Sequence, residues 1–369
     1  MSIRHLPFLD VFKDASGGNL KTPQSEFLPE GRFPVVDQGQ QLIAGYVNDP
    51  RRVCKSKPPV IVFGDHTRAL KYIDFEFAMG ADGTKVLVPK IESDTKYLFH
   101  ALNAIDIPSA GYSRHFKFLK ETAIPLPPLT EQKRIAAILD VEDGLRAKRR
   151  ESLAQLDILL QSTFLDMFGD PVTNPKVWKL CSLGDIVHSA TDGPHVSPNY
   201  SEKCIPFLSA RHIKPGEVIW EDLKYIDKKE AELQWKKCKP ELGDILYTKG
   251  GTTGIAARVV TSEPFAVWVH IALLKPIIEK VHPAWLEGML NSSYCYTQSQ
   301  RYTHGIANRD LGLKRMVKIK MYLPPLDLQH RFATIVESVE KQKARLREHL
   351  AELDALFASL QQRAFNGEL

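Results

Sequence analysis

The chain repeats itself. The segment Leu126-Pro127-Pro128-Leu129-Thr130-Glu131-Gln132-Lys133-Arg134-Ile135 returns 197 residues later as Leu323-Pro324-Pro325-Leu326-Asp327-Leu328-Gln329-His330-Arg331-Phe332. The register then holds without a gap. Ile138 answers Ile335, Glu151 answers Glu348, Leu156-Asp157 answers Leu353-Asp354, and Phe168 answers Phe365. Upstream the matches drift, as loops of unequal length produce. Tyr97-Leu98 and Leu102-Asn103 echo Trp285-Leu286 and Leu290-Asn291 at a spacing of 188. Phe33–Val36 echoes Ile205–Leu208 at 172, and Val60–Gly64 resembles Asp244–Thr248 at 184. A strand-rich module, a Pro-Pro hinge and a long helix therefore occur twice.

The boundaries follow from the repeat: a module over 1–123, a hinge and central helix over 124–168, a second module over 169–320, and a hinge and C-terminal helix over 321–369. Within the modules, short β-branched or aromatic runs (Val60–Phe63, Lys85–Val88, Ala266–Leu274, Val317–Met321) read as strands between turn-rich stretches such as Ala15–Asn19 and Lys249–Gly254. Asp94–Ala104 and Pro283–Gln300 read as helices. The fold class is mixed α/β with long loops, where binding contacts usually sit.

The two long helices carry narrow apolar stripes. Ile135, Ile138, Val141, Leu145, Leu153, Leu156, Leu160 and Phe164 follow near-heptad spacing, as do Phe332, Ile335, Val339, Leu346, Leu350, Leu353, Phe357 and Leu360. That pattern predicts an antiparallel coiled coil, and the alternative is that each helix packs on its own module. Thr130 reads as the first N-cap. Residues 130–166 as helix span about 55 Å at ~1.5 Å per residue, the length of a spacer rather than of a compact domain.

Composition narrows the functional classes. With 43% hydrophobic and 25% charged residues the chain is ordinary globular protein, and no apolar run is long enough for a membrane span. The start lacks a signal peptide's apolar stretch, so a cytoplasmic location is expected. Five scattered cysteines without a C-x-x-C pair argue against a zinc site or a disulfide framework. A net charge of +5 permits nucleic-acid binding without demanding it. No G-x-x-x-x-G-K-[ST] phosphate cradle is present, since Gly250–Gly254 lacks the lysine, and no [NDS]-P-P-[YFW] tetrapeptide holds a flipped base. Asp222-Leu223-Lys224 has a nuclease-like spacing but no convincing acidic partner. The sequence reads as recognition without catalysis.

The paired Leu-Pro-Pro-Leu-x-x-Gln-x-Arg helix starts and the C-terminal Leu360–Leu369 run resemble those of the specificity (S) subunit of a Type I restriction-modification enzyme. So do Gly111–Lys120, Gly243–Tyr247, and Gly305-Ile306-Ala307-Asn308 with Leu311. The resemblance covers essentially the whole chain. The modules differ at their openings, with Ser16-Gly17-Gly18 in the first and Thr191-Asp192-Gly193-Pro194-His195 in the second, which suggests two different target sequences. The resemblance implies two target recognition domains, each reading one half of a bipartite double-stranded DNA site and held apart by the helix pair. It implies no catalysis and no bound cofactor in this chain. The implied partners are two modification subunits using S-adenosylmethionine and, usually, two restriction subunits using ATP and Mg2+. A coiled-coil scaffold that no longer reads DNA is the alternative.

Phosphate contacts need Lys, Arg and hydroxyl groups, and base readout needs polar side chains on loops. In the first module the candidates are His66, Thr67, Arg68 and Lys71, with Ser113, Arg114, His115 and Lys117. In the second they are Lys249, Thr252, Thr253, Arg301, His304, Asn308, Arg309, Lys314 and Arg315. Tyr112 and Trp268 are expected to pack in the fold. On the helices, Leu159, Met167, Phe168, Leu356 and Phe365 lie off or beyond the expected seam and are candidates for docking modification subunits.

Overall fold

The computed structural model describes residues 3–81, 83–108, 111, 113–306 and 308–369. It divides into two compact units: residues 1–151 with 347–369, and residues 152–346. Each unit takes one module and a stretch of both long helices.

In the first unit, Val60–Gly64 is buried at every position, which is why it reads as an unbroken apolar run rather than an alternating one. It is an inner strand of a four-stranded antiparallel sheet ordered Phe12–Asp14, Thr84–Pro89, Val60–Gly64, Leu70–Ile73. A second sheet places Phe33–Val36 between antiparallel Gly45–Val47 and parallel Ala78–Met79. Arg4–Pro7 pairs with Ala123–Leu126, closing the module at the hinge.

The second unit repeats this topology. Its main sheet is ordered Val187–Asp192, Ile271–Pro276, Ile245–Thr248, Ala256–Arg258. Its second sheet again joins one antiparallel and one parallel partner to a central strand, Ile205–Leu208, through Lys224–Ile226 and Ala266–Val267. Lys179–Ser182 pairs with Lys320–Leu323 at the second hinge. The duplication seen in sequence is thus a duplication of fold.

Three expected elements divide. The run Ala266–Leu274 becomes two strands in different sheets, Ala266–Val267 and Ile271–Pro276, with a turn at Trp268–His270. Pro283–Gln300 becomes two helices, Pro283–Leu290 and Ser293–Tyr302, because Ser292 caps the second and Asn291 is diverted to bond both the Ala256 amide and carbonyl at 2.9 Å. In Val317–Met321 the strand starts only at Lys320, after the short helix Leu313–Met316.

The helix starts explain the duplicated motif. The central helix runs Leu129–Phe168 and the C-terminal helix Leu326–Asn366, so Thr130 lies inside the first turn and the Pro128 carbonyl takes the first orphan amides. Gln132, 2% exposed, donates through Nε2 to the Pro127 carbonyl at 2.8 Å and accepts from the Asp94 amide at 2.9 Å. Gln329, fully buried, does the same with the Pro324 carbonyl (2.9 Å) and the His282 amide (2.8 Å). Asp94 and His282 are the N-cap residues of the module helices. Each glutamine therefore clamps a hinge to the start of a module helix. Gln329→Ala leaves two buried polar groups without partners and is expected to cost about 2–4 kcal/mol, read from the shift in denaturant midpoint of the full chain.

The long helices run antiparallel within each unit. In the first unit the Arg146 guanidinium bonds Asp354 at 2.6 Å and lies 4.2 Å from the Phe357 ring centre, while Arg134 reaches the Leu369 carbonyl at 2.8 Å. In the second, Lys343 meets Asp157 at 2.8 Å and the Phe164 and Phe332 rings are 5.5 Å apart, edge to face. The expected heptad seam is corrected, however. Ile135, Ala136 and Leu139 point inward, whereas Val141 is 62% and Leu145 45% exposed. On the C-terminal helix Phe332, Ala333, Val336 and Val339 point inward, while Ile335 is 36% exposed. Spacings of one, three and four form a broad face, suited to a module core rather than to a two-helix seam alone. Ile135 and Leu139 join Phe8, Phe63, Tyr97 and Leu98 in the first core; Phe164, Phe168 and Phe332 join Tyr247 and Trp285 in the second.

Candidate nucleic-acid interface

In the first unit the chain turns sharply beyond Val60–Gly64. A Cβ at Gly64 would lie 2.2 Å from Thr67 Oγ1 and 2.6 Å from the Gln38 carbonyl oxygen, so only glycine permits this approach. The next residue, Asp65, is 4% exposed and acts as a staple. Its carbonyl accepts from the His115 amide and its Oδ1 from the Phe116 amide, both at 2.8 Å. Thr67 donates to the Gln38 carbonyl, and the His66 amide donates to Gln38 Oε1 at 3.2 Å. Three loops separated in sequence, around residues 38, 66 and 114, thereby converge at one end of the sheet.

On this surface Thr67, Arg68, Arg114 and Lys117 are exposed, and His66 and Ser113 are half-buried. Arg68 takes a positive φ of 60° and donates to the Ile107 carbonyl at 2.8 Å. Two candidates turn inward. Lys71 is 5% exposed, with Nζ 2.9 Å from the Asp37 carbonyl and 3.4 Å from its carboxylate. Burial pulls its pKa down while Asp37 opposes the shift. His115 is 1% exposed, its Nδ1 3.0 Å from the Asp65 carbonyl. Both hold the loops in place rather than face a groove. Tyr112 lies outside the described residues.

The second unit builds the same crossing with different side chains. Lys249 follows Ile245–Thr248 as Asp65 follows its strand, and its carbonyl accepts from the Leu311 amide at 2.8 Å. The Gly251 amide donates to the Arg309 carbonyl at 3.1 Å. These bonds bring the 249–253 and 304–315 segments together. Between them opens a cleft of about 830 Å³, lined by Thr252, Asn308 and Arg309 together with His195, Arg211, Trp268 and His270. Trp268 also packs against Phe207, with ring centres 6.3 Å apart.

Beneath the cleft lies an ion network. Lys249 is 6% exposed, with Nζ 3.4 Å from Asp192 and 3.2 Å from Asp310. Asp192 also takes Lys237 at 2.6 Å and His195 at 3.3 Å. Burial pushes the Asp192 carboxyl up, but Lys237 and Lys249 outweigh it and hold the group below the usual carboxylate range. Arg315 donates to the carbonyls of Tyr302 and Asp310, each at 2.9 Å, and to the Asp310 carboxylate at 3.1 Å. Thr253, 1% exposed, meets the Thr303 hydroxyl at 2.9 Å. Of these two sequence candidates, Lys249 thus forms part of the floor of the cleft and Thr253 is buried against Thr303. Thr252, Arg301, His304, Asn308, Arg309 and Lys314 are exposed.

Sequence reasoning missed Gln38, Arg211, His195 and His270. A signal for the first two existed. The matched strands Phe33–Val36 and Ile205–Leu208 each run into a polar turn, Asp37-Gln38-Gly39 and Ser209-Ala210-Arg211, and in each unit that turn borders the candidate surface. The two surfaces also differ in charge where they correspond, an aspartate in one and a lysine in the other.

The helix candidates divide as well. Phe168 is 5% exposed within the second core, its ring 6.4 Å from Trp285 and 5.4 Å from Phe332, and Met167 packs against the same cluster. Phe365 packs edge to face on Tyr97 at 5.8 Å. Phe168 thus takes a core role, and Met167 and Phe365, both half-buried, pack against the two cores with part of their surface. Leu159 and Leu356 remain exposed, at 48% and 45%. Among the described residues, no helix is long and apolar enough to cross a membrane.

If this surface meets duplex DNA through Arg309, Arg309→Ala is expected to lower the slope of log affinity against log salt by about 0.9, the value of one lost phosphate contact. Lys71→Ala leaves that slope unchanged, because its ammonium is held by Asp37. Titrations between low and moderate salt measure both.

Comparison with known proteins assigns the arrangement. The family model of the Type I restriction modification DNA specificity domain matches twice, at residues 10–155 and 175–354. The EcoBI specificity subunit of Escherichia coli is 26% identical over 400 residues, covering 97% of this chain and 79% of that protein. The MjaIX specificity subunit of Methanocaldococcus jannaschii is 29% identical over 177 residues, covering 42% of this chain and 40% of that protein. The crystal structure of a Type I restriction-modification S subunit from M. genitalium shares the fold, with a TM-score of 0.61 at 17% identity over 99% of this chain and 96% of that one. With two matched domains, each carrying the same sheet and loop crossing, the chain belongs to the DNA specificity subunits of Type I restriction-modification systems.

Proposed function

We propose that this chain reads a bipartite double-stranded DNA target, one half-site per module, and carries modification and restriction subunits to it. The observation that supports the reading is the loop crossing built twice at the end of the same sheet. It combines one backbone bond common to the two units, at 2.8 Å in each, with different side chains around it. A shared scaffold with divergent loops is what two readers of different sequences require. Exposed Arg68, Arg114 and Lys117 on one surface, and Thr252, Asn308 and Arg309 on the other, supply phosphate and base contacts. Leu159 and Leu356 supply apolar contacts on the helices for modification subunits. We assign the chemistry to the partners, which would bring S-adenosylmethionine, ATP and Mg2+.

Methylome sequencing of cells carrying this chain with its modification partner tests the proposal. The expected result is a methylated motif of two fixed half-sites around a non-specific gap. A complex that assembles but methylates no defined motif, and binds duplexes without sequence preference, would reduce the chain to a scaffold.

A further inference from the structure

At the edge of the second module's cleft stands a side chain that recognition by hydrogen bonds does not explain. Ile306 is 100% exposed, and none of the other large apolar side chains described is more so. It sits at the tip of a narrow loop whose base is closed by two backbone bonds, His304 amide to Asp310 carbonyl at 2.9 Å and the reverse at 2.8 Å. Asp310 is held in turn by Lys249 at 3.2 Å and Arg315 at 3.1 Å, so the base of the loop is anchored to the cleft floor. Gly305, at φ 88°, makes the turn into the tip; a Cβ there would lie 2.3 Å from the Asn308 carbonyl oxygen.

The neighbours identify the kind of partner. His304, Asn308 and Arg309 are all exposed beside Ile306, and Arg309 and Asn308 line the cleft. A protein-docking patch would gather large apolar residues around its anchor, whereas among the described residues of the 304–310 loop Ile306 is the one large apolar side chain, with exposed His304, Asn308 and Arg309 on the same loop. That combination matches the apolar wedges that enter between base pairs while adjacent cations hold the phosphates.

We propose that Ile306 inserts between adjacent base pairs of duplex DNA at the half-site read by the second module, unstacking that step. The proposal rests on the reading of this surface as a DNA interface. Insertion makes the deformability of one step part of the target, so flexible pyrimidine–purine steps are favoured at that position.

The test uses the full complex with its modification subunits and duplexes carrying the motif found by methylome sequencing. 2-Aminopurine is placed in turn at each position of the second half-site. Wild-type complex is expected to raise fluorescence at one step, and Ile306→Ala to abolish that rise and weaken binding about tenfold. Ile306→Phe, which keeps a wedge, is expected to restore the rise. Arg309→Ala is expected to keep the rise while lowering the salt dependence. A rise that Ile306→Ala leaves unchanged at every position comes from a base extruded by a partner subunit and overturns the wedge. So does unchanged affinity, and in either case specific binding by Ile306→Ala leaves the DNA-reading function standing. If the wild-type complex selects no site at all, the function and the wedge fall together.

Discussion

Exchanging residues 1–123 for the matching module of a relative is expected to replace one half-site of the target completely and leave the other unaltered. The loops of the first unit's surface are positioned by bonds within that module: Asp65 to His115 and Phe116, Thr67 and His66 to Gln38. Those of the second are held by Lys249, Gly251, Asp192 and Asp310, all within 192–310. Neither set of loops depends on the other, so specificity should transfer as a block. The donor module must still accept Ile135 and Leu139 of the central helix, which pack in its core. Methylome sequencing of cells carrying the hybrid reads the outcome directly. A hybrid that folds and methylates but changes both half-sites together would mean that the modules do not read separately.

The second large effect is on stability. Trp285 is fully buried at the centre of the second core, where module helix, main sheet and both long helices meet, with Phe168 edge to face at 6.4 Å. Trp285→Ala leaves a large void in close-packed surroundings and is expected to cost about 3–5 kcal/mol. Its indole N–H is buried with no hydrogen-bond partner among the described residues. In the first module the matched Tyr97 is also fully buried, but its hydroxyl donates to the Pro125 carbonyl at 2.8 Å. Both variants remove the unpaired donor, but Trp285→Phe keeps most of the ring and should cost clearly less than the alanine variant. Denaturant titration of the full chain measures both. Equal losses from Trp285→Phe and Trp285→Ala would show that a phenyl ring recovers none of the packing at this site.

Much of the plan was legible in the linear sequence. The 197-residue repeat carried the duplicated order of module, hinge and helix, because a copied unit keeps its turn and core residues even where loops drift. Val60–Phe63 and Lys85–Val88 were visible as strands, and the recurring Pro-Pro motif marked both helix starts. Which residues fill each role was another matter. A stripe at near-heptad spacing implied that Val141 and Leu145 are buried, yet Ala136 and Leu139 take the inward face, since a helix packing on a module buries a broader arc than one packing on a second helix. A lysine looks the same in sequence whether it meets solvent or not. Lys71 is turned inward by Asp37, 34 residues earlier, and Lys249 by Asp192 and Asp310. His195, Arg211 and His270 reach the cleft from loops far apart in the chain. Sequence alone thus determined that there are two modules on two long helices, because local pattern and repetition encode elements. Only the tertiary structure decided which polar side chains face outward, because that choice is made by partners brought from a distance.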